Sequence, residues 1–264
     1  MRHRTSGLAR VVESGALPGL PKVTRSRFSC RDRTVGALPG EFAVLRLYHL
    51  PLCPFSRKIR IALREKRLAF ELIEIEPWQA EEDFAAINPA REVPVLEDGG
   101  FHVCDSNAIA EYLEEAYPDR TLYGTTLEQR AETRRLLFWF DVKFRREVTD
   151  PLWGEKLRKR MKRAGHPDSE AMRRGARAIR DHLAYISKLY EDRRWLAGDE
   201  LSMADIAAAA HLSVLDYLGD VPWQEFEAAR EWYARMKSRP SFRPLLADRV
   251  VGIRPPPHYE NLDF

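Results

Sequence analysis

No apolar run in this chain approaches the roughly 18 residues of a membrane span, so direct membrane insertion is not expected. Cysteine is scarce. Cys30, Cys53 and Cys104 are odd in number and widely spaced, which suggests neither a disulfide framework nor a zinc site and fits a reducing, cytoplasmic setting. His49 and His211 have no partners at catalytic or metal spacing, so both read as packed side chains and no metal is expected. A strong charge of one sign is also missing. The formal net charge is +3, but residues 1–43 carry eight Lys or Arg against three acidic residues. That segment is therefore +5 and the remainder −2. A nearly neutral body gives no argument for a nucleic-acid partner.

What is present is a globular composition, 44% hydrophobic and 31% charged, over 264 residues, enough for two modest domains. Residues 1–43 show no sustained periodicity and read as a disordered basic extension. Their Arg-rich, acid-poor composition also leaves open a targeting segment or a functional basic arm, whereas the lack of an apolar core segment argues against a secretory signal.

From Leu45 the elements alternate. Leu45–Leu50 reads as a strand, 55–66 as a helix, Ala69–Ile75 as a strand and Glu81–Ile87 as a short helix. Val93–Leu96 and Phe101–Cys104 form a hairpin around Glu97-Asp98-Gly99-Gly100. A helix follows over Ser106–Tyr117. This order of βαβ unit, hairpin and helix is the thioredoxin-like arrangement. Cys53-Pro54-Phe55-Ser56 falls where the first strand passes into the first helix. Unpaired N–H groups and the helix dipole favour a thiolate there, so Cys53 is the candidate catalytic residue, with Ser56 nearby. An ordinary small residue in a turn is the competing reading. Trp78, after Pro77 in the loop beyond the second strand, is a candidate partner-binding residue if exposed, and a partly buried cleft residue otherwise.

After Pro118 the pattern is helical only. Thr125-Thr126-Leu127-Glu128 reads as a capping box opening a helix to about Val148, with Asp150-Pro151 marking its end region. The basic stretch Lys156–Arg163 reads as a solvated helix end or as a surface for an acidic partner. A further helix spans about Ser169–Asp192. Ser202-Met203-Ala204-Asp205 is a second capping box before an alanine-rich run, and a last helix runs from about Trp223 to Lys237.

The chain resembles the glutathione transferase family over residues 45–248. The resemblance rests on the Cys53 turn, Asn88-Pro89 followed by Val93-Pro94-Val95-Leu96, Asp105-Ser106-Asn107-Ala108-Ile109, the Ser202–Asp205 box and Arg239-Pro240-Ser241-Phe242. It implies an α/β plus all-α fold: residues 44–121 thioredoxin-like, 122–248 all-helical, and 249–264 a Pro-rich tail. It also implies a homodimer and a glutathione site. There a cis Pro94 holds the Val93 backbone for the cysteinyl part. Ser106 at a helix N-terminus and Asp105 take the γ-glutamyl end. Cys53 matches the family's catalytic Ser or Cys. In the catalytic reading it forms a mixed disulfide with glutathione. One departure stands out: Arg91 and Glu92 replace the Gly-Lys that commonly precedes Val-Pro. A Glu in place of the Lys repels the glycine carboxylate of glutathione by about 1 kcal/mol at 4 Å in water and about 4 at an effective dielectric of 20. That is roughly fivefold to several hundredfold in affinity.

A narrower resemblance is to the alphaproteobacterial glutathione-transferase-like cell-division proteins that bind FtsZ filaments and promote constriction. It rests on Trp139–Phe144, the run His211–Trp223, and the tail Pro257-His258-Tyr259-Glu260-Asn261-Leu262-Asp263-Phe264. The prolines at 255–257 hold the tail extended. Tyr259 and Phe264 then become candidates for docking into a partner, or into the protein's own groove. Two functions follow: an FtsZ-binding regulator at the division site with little or no glutathione chemistry, or a transferase using Cys53.

Overall fold

The computed structural model describes residues 44–79 and 82–262. The expectation for residues 1–43 and the docking role given to Phe264 lie outside them. The first half is a four-stranded sheet in the order β2-β1-β3-β4. β1 (Leu45–His49) pairs in parallel with β2 (Phe70–Glu74) and antiparallel with β3 (Val95–Asp98), which forms the hairpin with β4 (Phe101–Cys104). Strand alternation sorts β1. Leu45, Leu47 and His49 are buried, while Arg46 is exposed and Tyr48 half-buried, carrying Phe84 of α2 (Glu82–Ile87) at 5.9 Å. The hairpin turn falls on Gly99 and Gly100, both at positive φ, as that chemistry requires.

α1 (Pro54–Glu65) and α3 (Ser106–Ala116) complete this half. Ile59, Ala62 and Leu63 bury the expected face of α1. The opposite face, rich in Arg and Lys, is buried too, because α1 also packs against α6 (Met203–Tyr217) of the second half.

The second half is helical. α4 opens as an α-helix at Leu127–Phe138, widens to π winding over Trp139–Arg158 and closes with an α-helical turn at Lys159–Met161. Its capping box lies one residue later than expected. Thr126 accepts from the Gln129 N–H at 3.2 Å, and Gln129 accepts from the Thr126 N–H at 3.3 Å. The helix also does not end near Val148. Pro151 lies inside the π-wound stretch and does not end it. α5 (Ser169–Asp192) crosses at Gly175, where a Cβ would stand 2.9 Å from Pro151 and 3.0 Å from Leu152, so only glycine permits the approach.

α6 is buried along its whole length. Asp205 accepts from the Ser202 N–H and hydroxyl at 3.1 and 2.8 Å, from the Leu196 N–H at 2.8 Å and from the Trp232 indole at 3.0 Å. This is a structural box and not a chemical one. A short turn at Trp223–Glu225 precedes α7 (Glu227–Lys237), which begins later than the sequence pattern implies. The tail returns over α1. Tyr259 is fully buried, edge-on to Tyr217 at 5.2 Å, and its hydroxyl accepts from Arg57 at 3.1 Å. Tyr259 is therefore no exposed partner anchor. The body's own groove takes it, because Arg57 is buried and needs that oxygen.

Candidate functional site

A cleft of about 410 Å³ opens between the two halves. One wall comes from the β1–α1 turn, the loop before β3 and the β4–α3 junction. The other comes from the π-wound part of α4, whose wide turns bring Asp141, Arg145, Thr149, Trp153 and Arg158 to it.

Cys53 is the N-cap of α1 in extended conformation and is 6% exposed. Its thiol points to the Val93 carbonyl at 3.9 Å. Burial pushes the thiol pKa up, against the Ser56 and Phe55 N–H groups and Arg145, which pull it down. Desolvation thus opposes the thiolate that the helix N-terminus favours. Ser56 is buried and accepts from the Leu50 N–H at 3.2 Å, which pins the turn, while its N–H and hydroxyl both favour the charged form of Cys53.

Val93–Pro94 is a cis peptide. The loop leading to it is tied by Asn88, which donates to the Glu92 carbonyl at 2.8 Å and accepts from the Ala90 N–H at 3.2 Å. Arg91, at φ 51°, and Glu92 are both exposed at the rim. Asp105, at φ 73°, caps α3 by accepting from the Asn107 and Ala108 N–H groups at 2.7 and 3.2 Å. Ser106 is the first residue of α3 and is buried. The structure thus brings Cys53, Val93, Pro94, Asp105, Ser106, Arg91 and Glu92 to one cleft.

Trp78 lines the cleft as well, and it is half-buried rather than exposed. Lys162 stands 5.9 Å over its ring, and its indole N–H is buried with no acceptor among the described residues. The same motif recurs along the helical wall. Arg158 lies 5.5 Å over Trp153, whose indole N–H is also unpartnered, and Arg145 lies 5.2 Å over Phe55. Sequence reasoning missed this wall; its signal is the near four-residue spacing of 141, 145, 149 and 153.

Behind the wall Lys58 is buried between Asn107 (2.8 Å) and Asp141 (2.5 Å). His211 bridges Asp141 (3.3 Å) and Thr149 (2.9 Å). Lys58 and His211 hold the Asp141 carboxyl below its usual pKa despite full burial. Among the described residues no cluster of His, Cys, Asp and Glu is arranged to hold a metal.

Comparison with known proteins bears on this arrangement. Residues 47–121 match the family model described as glutathione S-transferase, N-terminal domain, and residues 169–235 match glutathione S-transferase, C-terminal domain. The chain is 49% identical over 222 residues to FtsZ-localized protein A of Caulobacter vibrioides, covering 83% of this chain and 97% of that one. A crystal structure of a glutathione S-transferase from Rhodospirillum rubrum F11 superposes with a TM-score of 0.82 at 55% identity, over 84% of this chain and all of that one. The structure of FzlA from C. crescentus gives 0.80 at 48% identity, over 84% of this chain and 100% of that one.

Proposed function

Because the chain belongs to the glutathione S-transferase family, we propose that it uses that scaffold as an FtsZ-binding regulator of bacterial cell division and constriction. In this reading glutathione chemistry is slight or absent. The observation that carries it is the 49% identity to FtsZ-localized protein A along nearly the whole of that relative. Two features of the cleft agree. The γ-glutamyl end of glutathione would find Ser106 and Asp105, but its glycine end would meet Glu92 at the rim. Cys53 would offer a buried thiol whose pKa is pushed up by that burial. The protein would act at the division site, as a homodimer. Trp78 is half-buried in the cleft wall and not an exposed anchor; its indole N–H, unpartnered among the described residues, is the basis on which we assign it to the FtsZ contact.

The second reading, a transferase using Cys53, is favoured by the position of Cys53 as the α1 N-cap facing Val93 and by the 55% identity to the R. rubrum transferase. One paired experiment separates the two. The protein should pellet with FtsZ filaments, and Trp78→Ala should lower that fraction severalfold without changing the thermal melt. In parallel, calorimetric titration with reduced glutathione should give no heat for the natural protein, with binding gained in Glu92→Lys. Wild-type glutathione binding, with turnover lost in Cys53→Ser and no pelleting with FtsZ, would establish the transferase instead.

A further inference from the structure

At the C-terminal end of α4 the chain turns with three exposed cations, Arg160, Lys162 and Arg163. A second element meets them there. Val250–Ile253 forms a tight turn, closed by the Ile253 N–H to the Val250 carbonyl at 3.2 Å, with Gly252 at φ 78°. Arg160 donates to the Gly252 carbonyl at 3.4 Å. The positive φ of residue 252 is what favours glycine in this turn. The turn presents Val251 at its tip, 95% exposed, the most exposed large apolar side chain among the described residues. Exposed Arg254 follows it.

The carboxylates nearby are engaged elsewhere. Asp150 pairs with Arg145 and Arg158, Glu155 with Lys159, and Asp220 with Lys156. Asp248 holds Arg57 and Arg60, and Glu260 pairs with Arg249. Arg160, Lys162, Arg163 and Arg254 therefore have no ion-pair partner among the described residues.

We propose that this region, an apolar tip held beside Arg160 with Arg163 and Arg254 close to them in the chain, docks on an anionic lipid surface. The chemistry fits that partner on two counts. The cations are long and flexible, and attract a negatively charged leaflet. Val251 is covered by none of the described residues and would enter the headgroup boundary, as interfacial apolar residues do. No helix of the described residues is long and apolar enough to cross a membrane, so the contact would be peripheral. An acidic protein segment would use the cations and gain little from a lone valine tip. The proposal stands independently of FtsZ binding.

The test is co-sedimentation of the full chain with phosphatidylglycerol-containing or pure phosphatidylcholine vesicles. The natural protein should pellet with the anionic vesicles only. Each charge near such a surface is worth about 1 kcal/mol, about fivefold in partition. The triple variant Arg160→Gln, Arg163→Gln, Arg254→Gln should therefore lose at least about tenfold, and Val251→Asp severalfold. Lys162 is left in place because it stacks on Trp78, so FtsZ pelleting should not change in either variant. All these side chains are exposed, and an unchanged thermal melt would confirm folding. Equal pelleting with both vesicle types, or none, would overturn the proposal. So would full anionic-vesicle binding by the triple variant, which would place the attraction in residues 1–43. Loss in the triple variant with none in Val251→Asp, together with equal retention on polyglutamate, would assign the face to an acidic protein.

Discussion

Two sets of cations flank the same turn at Cys53 and are treated in opposite ways. Arg57, Lys58 and Arg60 lie between α1 and the helical half, all at 5% exposure or less. Each is satisfied. Arg57 alone donates to the Pro51 and Leu245 carbonyls, the Ser213 and Tyr259 hydroxyls and the Asp248 carboxylate, at 2.9 to 3.1 Å. Across the cleft, Arg145, Arg158 and Lys162 lie over aromatic rings, with Asp150 shared by the two arginines and two indole N–H groups unpartnered. The first set closes the fold, because buried donors must be paired. The second leaves hydrogen-bonding capacity unspent, which is what a binding wall needs and a core cannot tolerate.

The sharpest way to break this contrast is at Arg57. Arg57→Met should lower unfolding free energy by about 3–5 kcal/mol in urea denaturation, since it strips Asp248, Tyr259 and Ser213 of a buried partner. Arg57→Lys should recover less than half, as an ammonium cannot reproduce the five-donor fork. Arg158→Met, on the cleft wall, should cost only about 0–1 kcal/mol. A similar cost at both sites would erase the distinction.

That contrast was invisible in the sequence, while much else was legible. The strands, the Gly99-Gly100 hairpin and the placing of Cys53 before α1 follow from period and turn chemistry, which are local. No local pattern marks Arg57, Lys58 and Arg60 as buried, since α6 and the returning tail are what cover them. Tyr259 lies 202 residues from Arg57 in the chain, a separation no spacing rule crosses. Its flanking prolines left a partner's groove and the protein's own both open. The long helix outran its expected end because Pro151 sits inside a stretch that continues helically, and an Asp-Pro pair marks a probable boundary and not a certain one. The thiolate expectation left out burial, which a motif does not report and which pushes the Cys53 thiol up.

The next smaller effect lies in the Lys58–Asp141 pair. Lys58→Met alone and Asp141→Leu alone should each cost about 3 kcal/mol, because each strands a buried charge. The double variant should cost clearly less than the sum, with a coupling of about 2 kcal/mol. It should not be neutral, since Asn107 and His211 also lose partners. Strict additivity would mean that the pair is not coupled inside the body.

The smallest effect at neutral pH belongs to His49, which sits in β1 beside this network without sharing in it. It is 4% exposed, and its Nδ1 is buried with no acceptor among the described residues. Burial, then the charge of Arg60, lowers its pKa from 6.5 to about 4. A neutral imidazole in the folded state and a protonatable one in the unfolded state mean that unfolding takes up a proton below about pH 6.5. Its contribution is intact above that pH and is lost progressively as pH falls towards 4, by up to about 3 kcal/mol. His182 and His211 are depressed by burial in the same sense and steepen the slope. His49→Gln should leave stability at pH 7 changed by about 1 kcal/mol or less, yet flatten the loss between pH 6.5 and 4. Chemical denaturation across that range reads both quantities. An unflattened profile would mean that His49 is already protonated in the fold, paired by Asp248 despite Arg60, and would place it inside the satisfied set.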